Sequence, residues 1–136
     1  MPRESSLLRC VAFLALLAIW SCSAFGQSKK QKREAAYQSK LQSYTEALKP
    51  GMTRKNIEDY LRSKRVAFGQ LCCIDERSAY ADLVKIGKEK HPWYCEEHSV
   101  YIAFQFAAVE PHKGWEAFDS DVLKRITVFH KLEGCL

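Results

Sequence analysis

The pattern of apolar and polar positions changes character several times along the chain. Cys10 to Trp20 is an unbroken apolar run. Between Ala35 and Leu48 apolar residues recur at helical spacing, with Tyr37, Leu41, Tyr44 and Leu48 forming one stripe. Pro50-Gly51 ends this helix, and Thr53 offers a side-chain oxygen to cap a second one whose inner face is Ile57, Tyr60 and Leu61. Met52, just before the cap, is placed to pack on Ile57 as a hydrophobic staple, whereas Asn56 stands where a full capping box has Glu or Gln.

Beyond Lys64-Arg65 the period shortens to that of strands. Val66 to Ile74 is one candidate, with a bulge or turn at Gly69, and Ala81 to Gly87 is a second. Ser99 to Ala108 is the strongest. Val100, Ile102, Phe104 and Phe106 alternate with a second set that is itself mostly apolar, which predicts a central strand covered on both faces. Lys124 to Leu132 is the last, with Ile126, Val128 and Leu132 inward and Phe129 out of step on the outward side. Two helices followed by three to four strands imply an α+β domain, an antiparallel sheet with helices on one face.

The early apolar run changes the picture of where the protein resides. Arg3 and Arg9 precede it, it is too short to span a bilayer, and Ala24-Phe25-Gly26 places small residues at the −3 and −1 positions before Gln27. Residues 1–26 therefore read as a secretory signal peptide, 27–34 as a basic tether and 35–136 as a single domain. Two other outcomes stay open: lipidation at Cys22, within Ile19-Trp20-Ser21-Cys22, and an uncleaved anchor. The 110 residues after the leader suffice for one core and exclude a multidomain enzyme. At 47% hydrophobic residues the chain is too apolar to be disordered, and a net charge of +5 is too small to indicate nucleic acid.

Four cysteines follow the leader: Cys72, Cys73, Cys95 and Cys135. An even number in an exported domain points to disulfides, with three pairings open. A bond between the neighbours Cys72 and Cys73 is disfavoured because bridged α-carbons are ordinarily well apart. On a strand the two point to opposite faces, so each is expected to take a distant partner. A metal or thiol site centred on Cys95 and His98, completed by Cys72-Cys73, is the alternative, although the zinc knuckle would be only half present.

Candidate chemistry is otherwise sparse. His91, His98, His112 and His130 form no metal-binding spacing, Asp75-Glu76, Glu96-Glu97 and Asp119/Asp121 read as solvated loop acids, and no glycine-rich phosphate loop or nucleophile elbow occurs. The sequence thus proposes no catalytic residue, no cofactor and no metal ligand set. Trp93, Tyr94, Trp115 and Phe118 fall in expected connections, where exposed aromatics serve as recognition anchors.

The segment Leu48-Lys49-Pro50-Gly51-Met52-Thr53-Arg54-Lys55-Asn56-Ile57-Glu58-Asp59-Tyr60-Leu61 resembles the L-x-x-G-M-T-x-x-x-V-x-x-x-L turn of the BamE/SmpA-type outer-membrane lipoproteins and of the similarly folded β-lactamase-inhibitor-like domains. The resemblance implies two helices packed on an antiparallel sheet. Ser63-Lys64-Arg65 stands where those families continue with G-x-P, and the remainder of the chain looks like a small exported bacterial family. The functional expectation is a periplasmic or secreted, non-enzymatic binding or envelope-assembly domain. Its partner would be a protein or envelope component and not nucleic acid, with membrane attachment only through Cys22. A purely structural envelope protein is the third reading.

Overall fold

Ser28 opens the first helix, α1 (Lys29–Ala47), with a reciprocal cap. Its hydroxyl accepts from the Gln31 amide N–H (3.3 Å), and its own N–H donates to the Gln31 side chain (2.9 Å). The helix thus begins six residues before Ala35, and the basic stretch is helical from Lys29 on because Lys, Arg, Gln and Glu are good helix formers. The computed structural model describes residues 28–74, 80–109 and 116–136, so the expected leader, Cys22 and Trp115 lie outside the described residues. The chain divides into units Met1–Glu34 and Ala35–Leu136. Of the first, the described part is the polar opening of α1, and all that follows concerns the second.

Thr53 caps α2 (Arg54–Ser63), accepting from the Asn56 amide. The helix ends in a Schellman arrangement, with Val66 N–H on the Leu61 carbonyl (3.0 Å) and Arg65 N–H on that of Arg62 (2.9 Å). Arg65 occupies the left-handed conformation usually left to glycine, with φ 55°. Four antiparallel strands follow in spatial order: β1 (Gly69–Leu71), β2 (Ala81–Glu89), β3 (Glu97–Ala107) and β4 (Val122–Glu133). The fold is therefore α+β, as the periodicity predicts. β1 is far shorter than the expected Val66–Ile74, because only Gly69–Leu71 pair with β2.

One face of the sheet carries the main core, in which Tyr44, Leu48, Ile57 and Leu61 from the helices meet Val84, Ile102, Phe104, Phe106 and Leu123. The rings of Tyr44 and Phe104 meet edge to face with centroids 5.3 Å apart. On the other face a smaller cluster of Ala81, Leu83 and Ala103 takes in Leu71, Ile74, Tyr101 and Phe129. That cluster accounts for Phe129: it is out of step with the main core because it serves the second. Leu132 departs from its expected inward position. It shares the helix-side face with Ile126 and Val128, but it is exposed at the sheet's end.

Two register shifts decide which residues share a face. Lys85 pairs with Tyr101 and Gly87 with Val100, so Ile86 is an extra residue on β2. Past this bulge the alternation is inverted, and Glu89, which would otherwise share the face of Lys85, comes to lie opposite His98 on the helix side. A second shift beside Gln105/Phe106 turns Leu123 into the core. Gly87 is required where it stands: a Cβ there would lie 2.8 Å from the Tyr37 ring and hydroxyl of α1.

The turn between the helices is stitched to β4. Gly51, with φ +90°, donates to the Leu123 carbonyl (2.8 Å), Leu123 to that of Met52 (2.7 Å) and Arg54 to that of Asp121 (2.7 Å). Thr53 and Val122 form a β-bridge. The Gly51-Met52-Thr53 motif thus acts as a short strand edge as well as a helix start.

Candidate functional site

The strands bring together three sets of polar or aromatic residues. The first is fully buried. Arg54, the opening residue of α2, is 1% exposed, with its guanidinium stacked 3.9 Å above the centre of the Phe106 ring. It donates to Asp82 Oδ1 (2.6 Å), to Asp121 Oδ2 (3.3 Å) and to the Tyr80 carbonyl. Asp121 also accepts from the Phe118 amide (3.1 Å). It is thus a structural acid facing a buried cation, and its expected role as a solvated loop acid is corrected: the 119–121 turn folds under α2. Two buried carboxylates, Asp82 and Asp121, thus accept from this one guanidinium. Burial pushes the Asp82 carboxyl up to about 7, against the pull of Arg54, with Glu58 adding to the rise.

This shift sets a pH dependence. Between about 4 and 7 the folded chain holds a proton on Asp82 that the unfolded chain releases, so stability rises as pH falls through that window. Glu97, Glu133 and Asp59, whose pKa values are lowered, lose their contribution only below the ordinary carboxylate range. Urea midpoints measured at pH 7.5 and 5.5 are expected to be higher at 5.5 for wild type, and Asp82→Asn is expected to remove Asp82's part of that rise.

The second set lies where β2 and β3 are joined. Trp93 and Tyr94 sit in the connection 90–96, with rings edge to face at 5.8 Å, and they are 89% and 43% exposed. The register that pairs Glu97 with Glu133 carries Cys95 to Cys135, and the two form a disulfide with α-carbons 3.9 Å apart. Leu136, fully exposed, donates its N–H to the Tyr94 carbonyl (2.9 Å), and Glu96 N–H donates to the Glu133 carbonyl (3.0 Å). On the face away from the helices, Lys88 (2.7 Å) and Lys85 pair with Glu97, and the Ser99 hydroxyl lies within reach of both Glu97 and Glu133. Those three partners hold the Glu97 carboxyl down to about 2.

The cysteine expectation is corrected here. Cys72 and Cys73 are bonded to each other, not to distant partners. They lie past the end of β1, so the opposite-face alternation of a strand does not apply, and the β3–β4 register has already committed Cys95 and Cys135. Cys95, buried in its disulfide, offers no thiolate to His98.

The third set is Glu89, His98 and His130, one ligand-type atom of each lying within 4.8 Å of the others. Glu89 pairs directly with His98, and His130 is diagonal to it because it pairs with Val100. The two imidazoles are 5.5 Å apart, and the Tyr37 ring meets that of His130 edge to face at 6.3 Å.

No family model, curated protein or solved structure matches this chain.

Of the aromatics expected to form one binding surface, Trp93 and Tyr94 are together. Phe118, 39% exposed, lies in the β3–β4 connection at the other end of β3, about 35 Å away along an 11-residue strand. Arg54, Asp82 and Glu89 join these sets without any motif that marks them in the sequence. A cation in the first turn of a helix runs against the helix dipole, and that was the available signal for Arg54.

Proposed function

We propose that this chain is an exported, non-enzymatic binding domain that recognises a protein or cell-envelope partner through the β2–β3 connection. The carrying observation is Trp93: a large apolar ring, 89% exposed, in a seven-residue connection tied down by Cys95–Cys135 and by the Leu136–Tyr94 hydrogen bond. An aromatic group held in solvent on a tethered loop loses little conformational freedom on docking, which is what an interface anchor requires. Tyr94 and Leu136 extend the same apolar patch. Export is part of the proposal and rests on residues 1–26 together with disulfide use, with a lipid anchor at Cys22 as its variant. The likeness to BamE-type domains is supported by the architecture and by the Gly51–Thr53 turn, and it names no partner.

Trp93→Ala is expected to change unfolding free energy by less than about 0.5 kcal/mol, because the ring packs on little. It is expected to weaken partner binding about 30-fold or more, as loss of an anchor does. A photo-crosslinking residue at position 93 in the exported protein should give one discrete adduct, and the same residue at position 118 none. Adducts at 118 alone, or a large stability loss in Trp93→Ala, would contradict the proposal.

A further inference from the structure

We infer that Glu89, His98 and His130 form a binding site for a first-row divalent transition cation of the zinc type, spanning three strands on the helix-side face of the sheet. The inference goes beyond the recognition role of Trp93 and does not depend on it. Three observations converge. One ligand-type atom from each residue lies within 4.8 Å of the other two, so a common point exists at most about 2.8 Å from all three. Contraction to zinc distances of about 2.1 Å asks each donor to move by under about 1 Å, well within side-chain rotation for Glu89 and the exposed His130.

The second observation concerns the rings. His98 Nδ1 lies 3.2 Å from the Lys90 carbonyl. A carbonyl can only accept, so Nδ1 donates in this contact, and in the neutral ring Nε2 is the nitrogen whose lone pair is open to a cation. This is the second-shell contact that orients metal-binding histidines. The ring of His130 is steadied by the edge of Tyr37, itself buried against Gly87.

The third is the backbone. The Ile86 bulge inverts the alternation of β2 and puts Glu89 on the face of the two histidines, and without it the carboxylate would point to the other side of the sheet.

Two imidazoles and one carboxylate suit zinc, copper, nickel or ferrous iron, and they suit magnesium or calcium poorly, since those ions seek all-oxygen shells. Three protein donors leave at least one position for water or for an atom of a partner. The cation would tie β2, β3 and β4 together at the base of the 90–96 connection, on the same end of the sheet as Trp93.

The test uses untagged protein with both disulfides formed, stripped with chelator and titrated with zinc chloride by calorimetry at pH 7.5. One zinc per chain is expected, undisturbed by excess magnesium or calcium, and cobalt chloride should give the visible absorption bands of a four- or five-coordinate ion. His98→Ala and His130→Ala should each weaken zinc binding by at least about 10- to 100-fold, and Glu89→Gln should also weaken it. His91→Ala, in the neighbouring loop, and Trp93→Ala should bind as wild type does. Circular dichroism checks that each variant folds, and the exposed His130 permits His130→Asn as a second replacement. No zinc binding by folded wild type, or equal losses in His91→Ala and His130→Ala, would overturn the site while leaving the role of Trp93 standing.

Discussion

Replacing Arg54 with alanine is expected to cost about 3–5 kcal/mol of unfolding free energy, the range seen when one partner of a buried ion pair is removed. The guanidinium is the only positive group donating to both Asp82 and Asp121 among the described residues, and both carboxylates are shut away from water. Alanine would leave them facing each other across the space under α2, and it would also remove the stacking on Phe106. Since domains of this size are stable by only about 5–15 kcal/mol, a large fraction of the variant would be unfolded at elevated temperature. Lysine is expected to rescue little. An ammonium cannot reach two carboxylates and the Tyr80 carbonyl in one plane as the guanidinium fork does. The urea midpoint at pH 7 is the measure. A loss under about 1 kcal/mol for Arg54→Ala would show that water enters the site and solvates both acids. The loss should shrink as pH is lowered below about 7, because protonation neutralises Asp82.

Cys95→Ser combined with Cys135→Ser is expected to cost about 4 kcal/mol. The bond spans 40 residues, and opening that loop restores the corresponding chain entropy to the unfolded state. Cys72→Ser with Cys73→Ser is expected to cost no more than about 1 kcal/mol, since that bond closes a loop of adjacent residues. Beyond the global loss, amide exchange should quicken first in 93–98 and 131–136, where the disulfide holds the open end of the β3–β4 pair. Equal losses in the two double variants, read as urea midpoints, would argue against this division of labour. The Cys95/Cys135 variant should also lose partner binding before it loses its fold, because the loop bearing Trp93 is then tied only by its hydrogen bonds.

Much of this architecture is local and therefore legible in the sequence. Thr53 caps α2 and the stripe of Tyr37, Leu41, Tyr44 and Leu48 faces the sheet, because capping and helical periodicity act within a few residues. The alternation in β3 marks a strand covered on both faces for the same reason. The buried and clustered polar residues depend instead on register. Asp82 and Asp121 look like ordinary surface acids until the α1–α2 turn bridges to Val122 and carries Arg54 between them. Glu89 and His130 are 41 positions apart, and no spacing rule links them. The bulge at Ile86 is what decides which face Glu89 takes, and a single apolar residue between Lys85 and Gly87 gives no sign that it is unpaired. The cysteine pairing has the same origin. Distant partners for Cys72 and Cys73 follow only if both are strand residues, whereas β1 stops at Leu71 and the β3–β4 register matches Cys95 with Cys135.

The proposal of an exported domain with a recognition loop closed by Cys95–Cys135 is tested most directly by mass spectrometry of the protein recovered from its own cells, alkylated without reductant and digested. The expected result is a chain beginning at Gln27, four hydrogens lighter than the fully reduced form, with one peptide pair joined through Cys95 and Cys135 and an unalkylated peptide holding both Cys72 and Cys73. A bridge between either of Cys72 or Cys73 and either of Cys95 or Cys135, or alkylation of all four thiols, would contradict it.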